Sequence, residues 1–414
     1  MKKTAIVLGG MKQHIILIDK LKQRGFYTIL VDYLDDPPAR KAADEHVQIS
    51  TYDIDGIRAL AIERHAELII NCCLEFLNVG IAKLAEELDL PMMYSHETAL
   101  NVSDKVRMKT IMRANDIPTT RFITVSQLSG LNDLPLEFPV FAKPSDGTGS
   151  TGVARADNPD DLYRITKDAI GYSKNGIAIV EEAAIGQESN VYCAIRNGVA
   201  TVIGVSQKYS VIGGNGDVTR ALGSVWPAQF SEKAMAKIRS SAQNIADAFH
   251  LQHTPLFMQI IVNGDEINII EFACRMAGGY SYRNILNKYQ FDFFDFTIGC
   301  FLGLPPEVRL HDDGDCYAIH SLYSVPCIFD HVEGMEELLE QGMIIDYMLP
   351  RNPGTAITGE TQRKSKIGYF IARGKSKEDV LQKVQYVFDH IEAYDAEGNK
   401  VLRRDVYLNR DIVA

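Results

Sequence analysis

Val140-Phe141-Ala142-Lys143-Pro144-Ser145-Asp146-Gly147-Thr148-Gly149-Ser150-Thr151-Gly152-Val153 runs from an apolar strand through a lysine into a loop with three glycines and four hydroxyl residues. Glycines let backbone N–H groups crowd around an anion, and hydroxyls add donors. A strand lysine supplies the compact positive charge that phosphates require. The combination predicts phosphate binding; its rival is a flexible surface hairpin. It is not a Walker A loop, which needs its lysine after the second glycine and a helix behind it. Gly374-Lys375-Ser376 is not one either, because Tyr369 stands where that motif needs its first glycine. Ser376 followed by Asp379 reads as a helix cap.

Downstream, Ala178–Ala184 is a strand that runs into Ile185-Gly186-Gln187-Glu188. Such a hinge offers backbone groups to a base edge, and a carboxylate accepts from ribose hydroxyls; alone the signal is weak, since acidic pairs after strands are usually solvated turns. Leu256–Val262, Asn263-Gly264-Asp265 and Glu266–Arg275 read as a β-hairpin. The strand period of two puts Ile269, Glu271, Ala273 and Arg275 on one face. For Gln259 to oppose Glu271 the loop must hold an odd number of residues, most simply Gly264-Asp265-Glu266. An amide oxygen, a carboxylate and an arginine then project from one surface, suited to Mg²⁺ and a phosphoryl charge. The rival is a salt-bridged sheet face.

Upstream, strand and helix signals alternate: strand Thr4–Leu8, a helix carrying Ile15, Leu17, Ile18 and Leu21, and strand Tyr27–Val31. Strand Glu67–Asn71, a helix over Leu77–Leu88 and a short strand Pro91–Tyr94 follow. This alternation predicts a doubly wound parallel sheet. Gly9-Gly10 at the first turn is placed to hold an anion, but no G-x-G-x-x-G fingerprint for NAD is present. A second unit begins near Glu97, with a helix containing Asp104-Lys105 that stops before Asp116-Ile117-Pro118. Helices are expected near Asp160–Ala169 and Glu232–Phe249, and a late one over Lys377–Tyr394. Ser95–Val102 and Gly303–Asp315 read as linkers.

A chain of 414 residues calls for two or three packed units, and 46% apolar with 23% charged residues suits a globular protein. No apolar run approaches the length of a membrane span. Met1-Lys2-Lys3-Thr4 and the apolar residues after it read as a first strand rather than a signal peptide. A net charge of −11 argues against a nucleic-acid surface. Seven scattered cysteines fit reduced core thiols in the cytoplasm, and His250 and His253 read as structural.

The three segments, in this order, resemble the ATP-grasp superfamily, carboxylate–amine ligase type, and the likeness spans nearly the whole chain. It implies a mixed α/β and α+β fold: a Rossmann-like pre-ATP-grasp domain over 1–96, an ATP-grasp body over 97–310 with a lid subdomain over about 118–184, and a C-terminal domain over 311–414. The tail is similar to that of bacterial L-amino-acid ligases and their purine-pathway relatives. Carried over by position, Lys105 and Lys143 contact ATP phosphates, beneath a lid containing Gly147, Gly149, Ser150, Gly152 and Val153. Glu181, Glu182 and Ala184 lie at the adenine edge and Glu188 binds ribose. Gln259 and Glu271 hold Mg²⁺, with Mn²⁺ as the alternative, and Arg275 meets the transferred phosphate or acyl phosphate. The family's E-x-N-x-R becomes Glu271-Phe272-Ala273-Cys274-Arg275, which leaves a second metal open. Glutamine at the first metal position resembles carbamoyl-phosphate synthetase large chains.

The resemblance implies an ATP-dependent ligase that activates a small carboxylate, an amino acid among the candidates, as an acyl phosphate for attack by an amine. The alternatives are a bicarbonate-activating carboxylase or carbamoyl-phosphate-type enzyme, and a non-catalytic ATP-binding module. Glu75, Lys208, Arg220, Trp226, Gly278, Gly279 and Arg283 are assigned to the substrate side. Partners are expected to be small molecules, with no nucleic acid or membrane; a homodimer is left open, as are the acid and the nucleophile.

Overall fold

Apolar runs separated by amphipathic helices favour a parallel sheet covered on both faces. The computed structural model of the protein, which describes residues 3–129, 131, 135–147, 151–211, 220–359 and 362–406, has one at its N-terminus. Strands β1 (Lys3–Leu8), β2 (Phe26–Val31), β3 (Glu45–Val47) and β4 (Ala66–Ile70) pair in parallel in the order β3-β2-β1-β4. Helices α1 (Lys12–Gln23), α2 (Ile54–Glu63) and α3 (Glu75–Leu88) connect or follow them. Gly25, at φ +84°, turns the chain out of α1 as only glycine does cheaply. The Gly9-Gly10 turn is not free for an anion: the Gly10 N–H donates to the Asp32 carboxylate at 2.7 Å. The chain supplies its own anion there.

Three expectations fail just beyond this sheet. Pro91–Tyr94 is not a strand; Tyr94 instead sends its hydroxyl inward, to Asn78 and the Cys274 carbonyl. Ser95–Val102 is no linker, because Ser95 caps helix α4 (His96–Ser103) by accepting from the Thr98 N–H. Asp104 is extended and ends that helix, and its carboxylate accepts from the Val106 and Arg107 N–H groups to start α5 (Lys105–Ala114). One expected helix is therefore two.

A four-stranded antiparallel sheet follows, β5 (Phe122–Val125), β6 (Val140–Pro144), β7 (Ala154–Ala156) and β8 (Ala178–Glu182), in the order β5-β8-β6-β7. Helix α6 (Pro159–Tyr172), capped by Asn158, buries Leu162, Ile165 and Ala169 against it. An eight-stranded antiparallel sheet comes next. It comprises β9 (Gln187–Arg196), β10 (Val199–Val211), β11 (Arg220–Trp226), β12 (His253–Asn263), β13 (Glu266–Ala273), β14 (Cys316–Tyr323), β16 (Asp346–Met348) and β18 (Lys366–Gly374). Their order is β13-β12-β9-β10-β11-β14-β18-β16. Helices α7 (Glu232–Ala248), α8 (Ser281–Tyr289) and α9 (Phe293–Phe301) belong to this region. A small sheet of β17 (Thr355–Ile357), β15 (Cys327–Glu333) and β19 (Glu392–Asp395), with α10 (Met335–Glu340), α11 (Gln362–Ser365) and α12 (Lys377–His390), completes the chain. The late helix thus ends at His390, and Glu392–Asp395 is a strand, not helix.

One core cluster joins Ile6, Leu17 and Ile69 of the parallel sheet layer to Met258, Phe296 and Ile298 of the large-sheet region. Each such buried side chain contributes about 1.5–3 kcal/mol by area. Lys20 reaches Asp292 at 2.8 Å and Asp295 at 2.9 Å across the same seam. Among the described residues no helix is long and apolar enough to cross a membrane.

Candidate functional site

The β12–β13 hairpin places Gln259 directly opposite Glu271, as expected, but not by the expected loop. Asn263 pairs with Glu266 across a two-residue Gly264-Asp265 turn, an even loop. Parity is restored by a register shift: Ile260 pairs with Ile269 while Gln259 pairs with Glu271, so Ile270 is a bulged residue. Such a bulge leaves one residue unpaired and exchanges the faces of the residues on its two sides. It also corrects the face assignment. Ile269 partners Ile260 on the core face and is 0% exposed, so it does not share a face with Glu271. The row continues across the sheet through Asn190 to Ser206. Two residues along, Ile261 pairs with Glu188, whose carboxylate accepts from Lys208 Nζ at 2.5 Å.

The lysine of the opening stretch lies on the four-stranded sheet. Phe141 pairs with Glu181 and Lys143 with Ile179, so Lys143 and Glu181 are diagonal neighbours on one face. Lys143 Nζ contacts Glu181 Oε1, and Lys109 Nζ lies 2.8 Å from Glu181 Oε2. Lys109 also donates to Thr119 Oγ1 at 2.7 Å and Thr120 Oγ1 at 3.1 Å, and Thr120 donates to Glu181 at 2.9 Å. Burial alone pushes the Glu181 carboxyl up, but the charges of Lys143 and Lys109 outweigh it and hold the group at about 2. Burial draws Lys109 below its ordinary value despite the opposing pull of Glu181. Glu181 is therefore committed to two lysines rather than lying open at a base edge.

Lys105 opens α5 beside the cap Asp104; its N–H donates to the Ser145 carbonyl at 2.9 Å and its Nζ to the Gly147 carbonyl. The same Nζ lies 3.7 Å from Glu271 Oε2, so the glycine loop and the hairpin meet at this lysine. Arg275, beyond β13, donates from Nη2 to Glu75 Oε2 at 3.2 Å and from Nη1 to the Met276 carbonyl at 2.9 Å. Its Nε is buried without a hydrogen-bond partner. Burial raises the Glu75 carboxyl, Glu271 adds to the rise, and Arg275 and Lys105 oppose it. Lys105, Glu271, Arg275 and Glu75 thus form one electrostatic group.

Among the described residues no cluster of three or more His, Cys, Asp or Glu side chains could hold a metal on its own. One amide oxygen from Gln259 and one carboxylate from Glu271 form a sparse, hard-oxygen donor set. That set suits Mg²⁺, which keeps waters and phosphate oxygens as its remaining ligands.

The other predicted positions scatter. Gly149 and Ser150 lie outside the described residues; Gly152 holds φ +71° and Val153 follows it into β7. Glu182 points away from Glu181 and pairs with Arg121, while Ala184 lies just past the strand. Gly186, at φ +143°, sits where a Cβ would lie 2.3 Å from the Val262 carbonyl oxygen, so the turn into β9 requires glycine. Gly279 accepts from Gln13 Nε2 at 3.2 Å, Gly278 precedes it, and Arg283 pairs with Asp346. Trp226 is the clear correction: it is 0% exposed, stacks on Tyr192 at 4.6 Å and donates to Ser224, so it belongs to the core. Arg220 is 4% exposed and its charge acts on Asp405 in the C-terminal region, away from Glu271. Lys109, Thr119 and Thr120 were missed. Lys109 stands four residues after Lys105 on one helix face, which was the available signal.

Residues 136–283 match the sequence profile of the ATP-grasp domain. Over 243 residues the chain is 26% identical to an L-arginine-specific L-amino acid ligase of Bacillus subtilis, covering 56% of each protein. The chain spans about half the length, or less, of the curated relatives it matches. Its fold superposes on an L-amino acid ligase of Bacillus licheniformis with a TM-score of 0.80 at 18% identity, over 95% of this chain and 99% of that one. N5-carboxyaminoimidazole ribonucleotide synthetase of Thermotoga maritima gives 0.74 at 20% identity, over 95% and 100%. At such identities the structural likeness establishes the mixed α/β fold.

Proposed function

From the match of residues 136–283 to the ATP-grasp domain, we propose that the protein is an ATP- and magnesium-dependent ligase that activates a small carboxylate as an acyl phosphate for attack by an amine, releasing ADP and phosphate. The observation that carries this reading is the convergence of Lys105, Glu271, Arg275 and Glu75 where the glycine loop meets the bulged hairpin.

In this proposal Lys105 and Lys143 bind the triphosphate, and the backbone from Glu182 to Ala184 meets the adenine edge. Glu188 accepts from ribose hydroxyls once it leaves Lys208. Gln259 and Glu271 would hold Mg²⁺, which neutralises phosphate charge when bound. Arg275 would neutralise the developing anion with its guanidinium charge, which costs little reorganisation because Glu75 and the Met276 carbonyl already fix the group. Glu75 orients the substrate beside it. Transfer of this kind rests on positioning and charge neutralisation rather than on a protein nucleophile. The amino-acid ligase among the relatives favours an amino acid as the acid or the amine.

The test is a screen for ADP formation with single amino acids, amino-acid pairs, other small acids and bicarbonate, in wild type and Arg275→Ala. We expect an acid-dependent rate that falls in the variant by about 10²–10³-fold, the loss typical of one donor to a developing anion. Equal ATP hydrolysis by both proteins under every acid would end the proposal; a response to bicarbonate alone would replace it with bicarbonate activation.

A further inference from the structure

Behind the Glu75–Arg275 pair lies a chain of buried polar side chains that no step above uses. Asn71 and Asn78 are each 2% exposed and Tyr94 is 8% exposed. Asn71 accepts from the Leu74 N–H at 2.8 Å and donates to Asn78 Oδ1 at 2.7 Å. Asn78 donates to the Tyr94 hydroxyl at 2.8 Å, and that hydroxyl donates to the Cys274 carbonyl at 3.2 Å. Cys274 precedes Arg275, Arg275 donates to Glu75, and Glu75 follows Leu74. The path closes on itself.

We propose that Asn71, Asn78 and Tyr94 are positioning residues, which hold Arg275 and Glu75 at a set separation by tying the start of α3 to the end of β13; this rests on the ligase reading above. The direction of every bond is determined. Asn78 must show its oxygen to Asn71 and its NH₂ to Tyr94, since a flipped amide would set two NH₂ groups against each other and draw the Tyr94 proton away from the Cys274 carbonyl. Tyr94 must remain protonated to donate, and burial raises its hydroxyl well above the usual tyrosine value. A buried chain with every member satisfied is stiff, and stiffness is what a preorganised cation beside a reacting phosphate requires. The parts it joins come from different sheets: the Tyr94–Cys274 bond spans 180 residues of sequence.

The test compares Tyr94→Phe, Asn78→Asp and the control Thr297→Val, which removes a buried hydroxyl-to-carbonyl bond in α9 away from the site. Asn78→Asp keeps the shape but cannot donate to Tyr94, so the tyrosine must turn its proton to the new carboxylate and release the Cys274 carbonyl. For both site variants we expect kcat for acid-dependent ADP formation to fall about tenfold with the KM for ATP nearly unchanged. Thr297→Val should lower the melting temperature without changing kcat. Tyr94→Phe placed on Arg275→Ala should cost no further activity, because the two act as a unit. Crystal structures of the two variants should show Arg275 parted from Glu75. Unchanged kcat in Tyr94→Phe alongside a large loss in Arg275→Ala overturns the positioning role and leaves the ligase reading standing. If wild type forms no ADP with any acid, the ligase reading falls, and the crystal structures still decide the positioning role: an intact Glu75–Arg275 contact in both variants overturns it.

Discussion

Glu181 on β8 and Glu271 on β13 each face lysines from α5, yet their surroundings differ in kind. The Glu181 side chain is 3% exposed and is met by Lys143, Lys109 and Thr120, so both of its oxygens have partners. The Glu271 side chain is 41% exposed, and Lys105 faces it at 3.7 Å, beyond hydrogen-bonding distance. A carboxylate accepts about four hydrogen bonds. Glu181 is met by three donors inside the protein, while Glu271 has only the long contact with Lys105. Two like charges on two sheets therefore sit differently: one holds lysines in place, and the other is open enough to serve the metal role proposed for it.

The comparison breaks first at Glu181. Glu181→Gln leaves Lys109 and Lys143 facing each other in a buried site, which should cost about 3–5 kcal/mol of stability, measured by urea unfolding at pH 7. Glu271→Gln should stay within about 0.5 kcal/mol of wild type, as expected of an open side chain. The Glu181 carboxyl is depressed from 4.5 to about 2, so its stabilisation is fully present above pH 4.5 and is lost as pH falls toward 2. That titration is worth on the order of 3 kcal/mol. Wild type and Glu181→Gln should therefore converge in stability as the pH drops through this window. A difference that is constant with pH would mean Glu181 is not the buried anion described here.

At Glu271 the effect should appear in ligand dependence instead. Glu271→Gln should raise the magnesium concentration needed for half-maximal ADP formation by about tenfold or more, since even outer partners of metal ligands matter by that much. The reading is straightforward in a titration of Mg²⁺ at saturating ATP. An unchanged magnesium requirement would remove Glu271 from the metal and return it to the role of a salt-bridge partner for Lys105.

These two carboxylates also show what a sequence can and cannot disclose. Lys143, the glycine loop and the Gln259–Glu271–Arg275 set are visible because strand periodicity is local. The bulge at Ile270 is not visible, since an even loop with a bulge and an odd loop without one place Gln259 against the same residue. Only the fate of Ile269, buried rather than facing the cleft, separates them. Trp226 lies in the segment assigned to the substrate side, but the sequence does not say what covers a side chain; here Tyr192 does. The split of one expected helix at Asp104 follows from a side chain capping its own backbone, a choice that competes closely with helix continuation. Lys109 has no meaning until Glu181 is beside it, and that meeting is made by tertiary packing.

The smallest expected effect tests whether the buried cluster is a network or a set of pairs. Thr120 accepts from Lys109 at 3.1 Å and donates to Glu181 at 2.9 Å, so one hydroxyl bridges both charges. Thr120→Val keeps the shape and removes the bridge. Lys109 retains Thr119 and Glu181, and Glu181 retains both lysines, so neither charge is left bare. The cost should then be about 1 kcal/mol, the net worth of an ordinary hydrogen bond, rather than the larger loss of an orphaned ion. In the double variant Thr120→Val with Glu181→Gln, the threonine substitution should cost less than it does alone, because its carboxylate partner is gone. Strict additivity would show that Thr120 serves Lys109 only, and that Lys143, Glu181 and Lys109 hold one another without it.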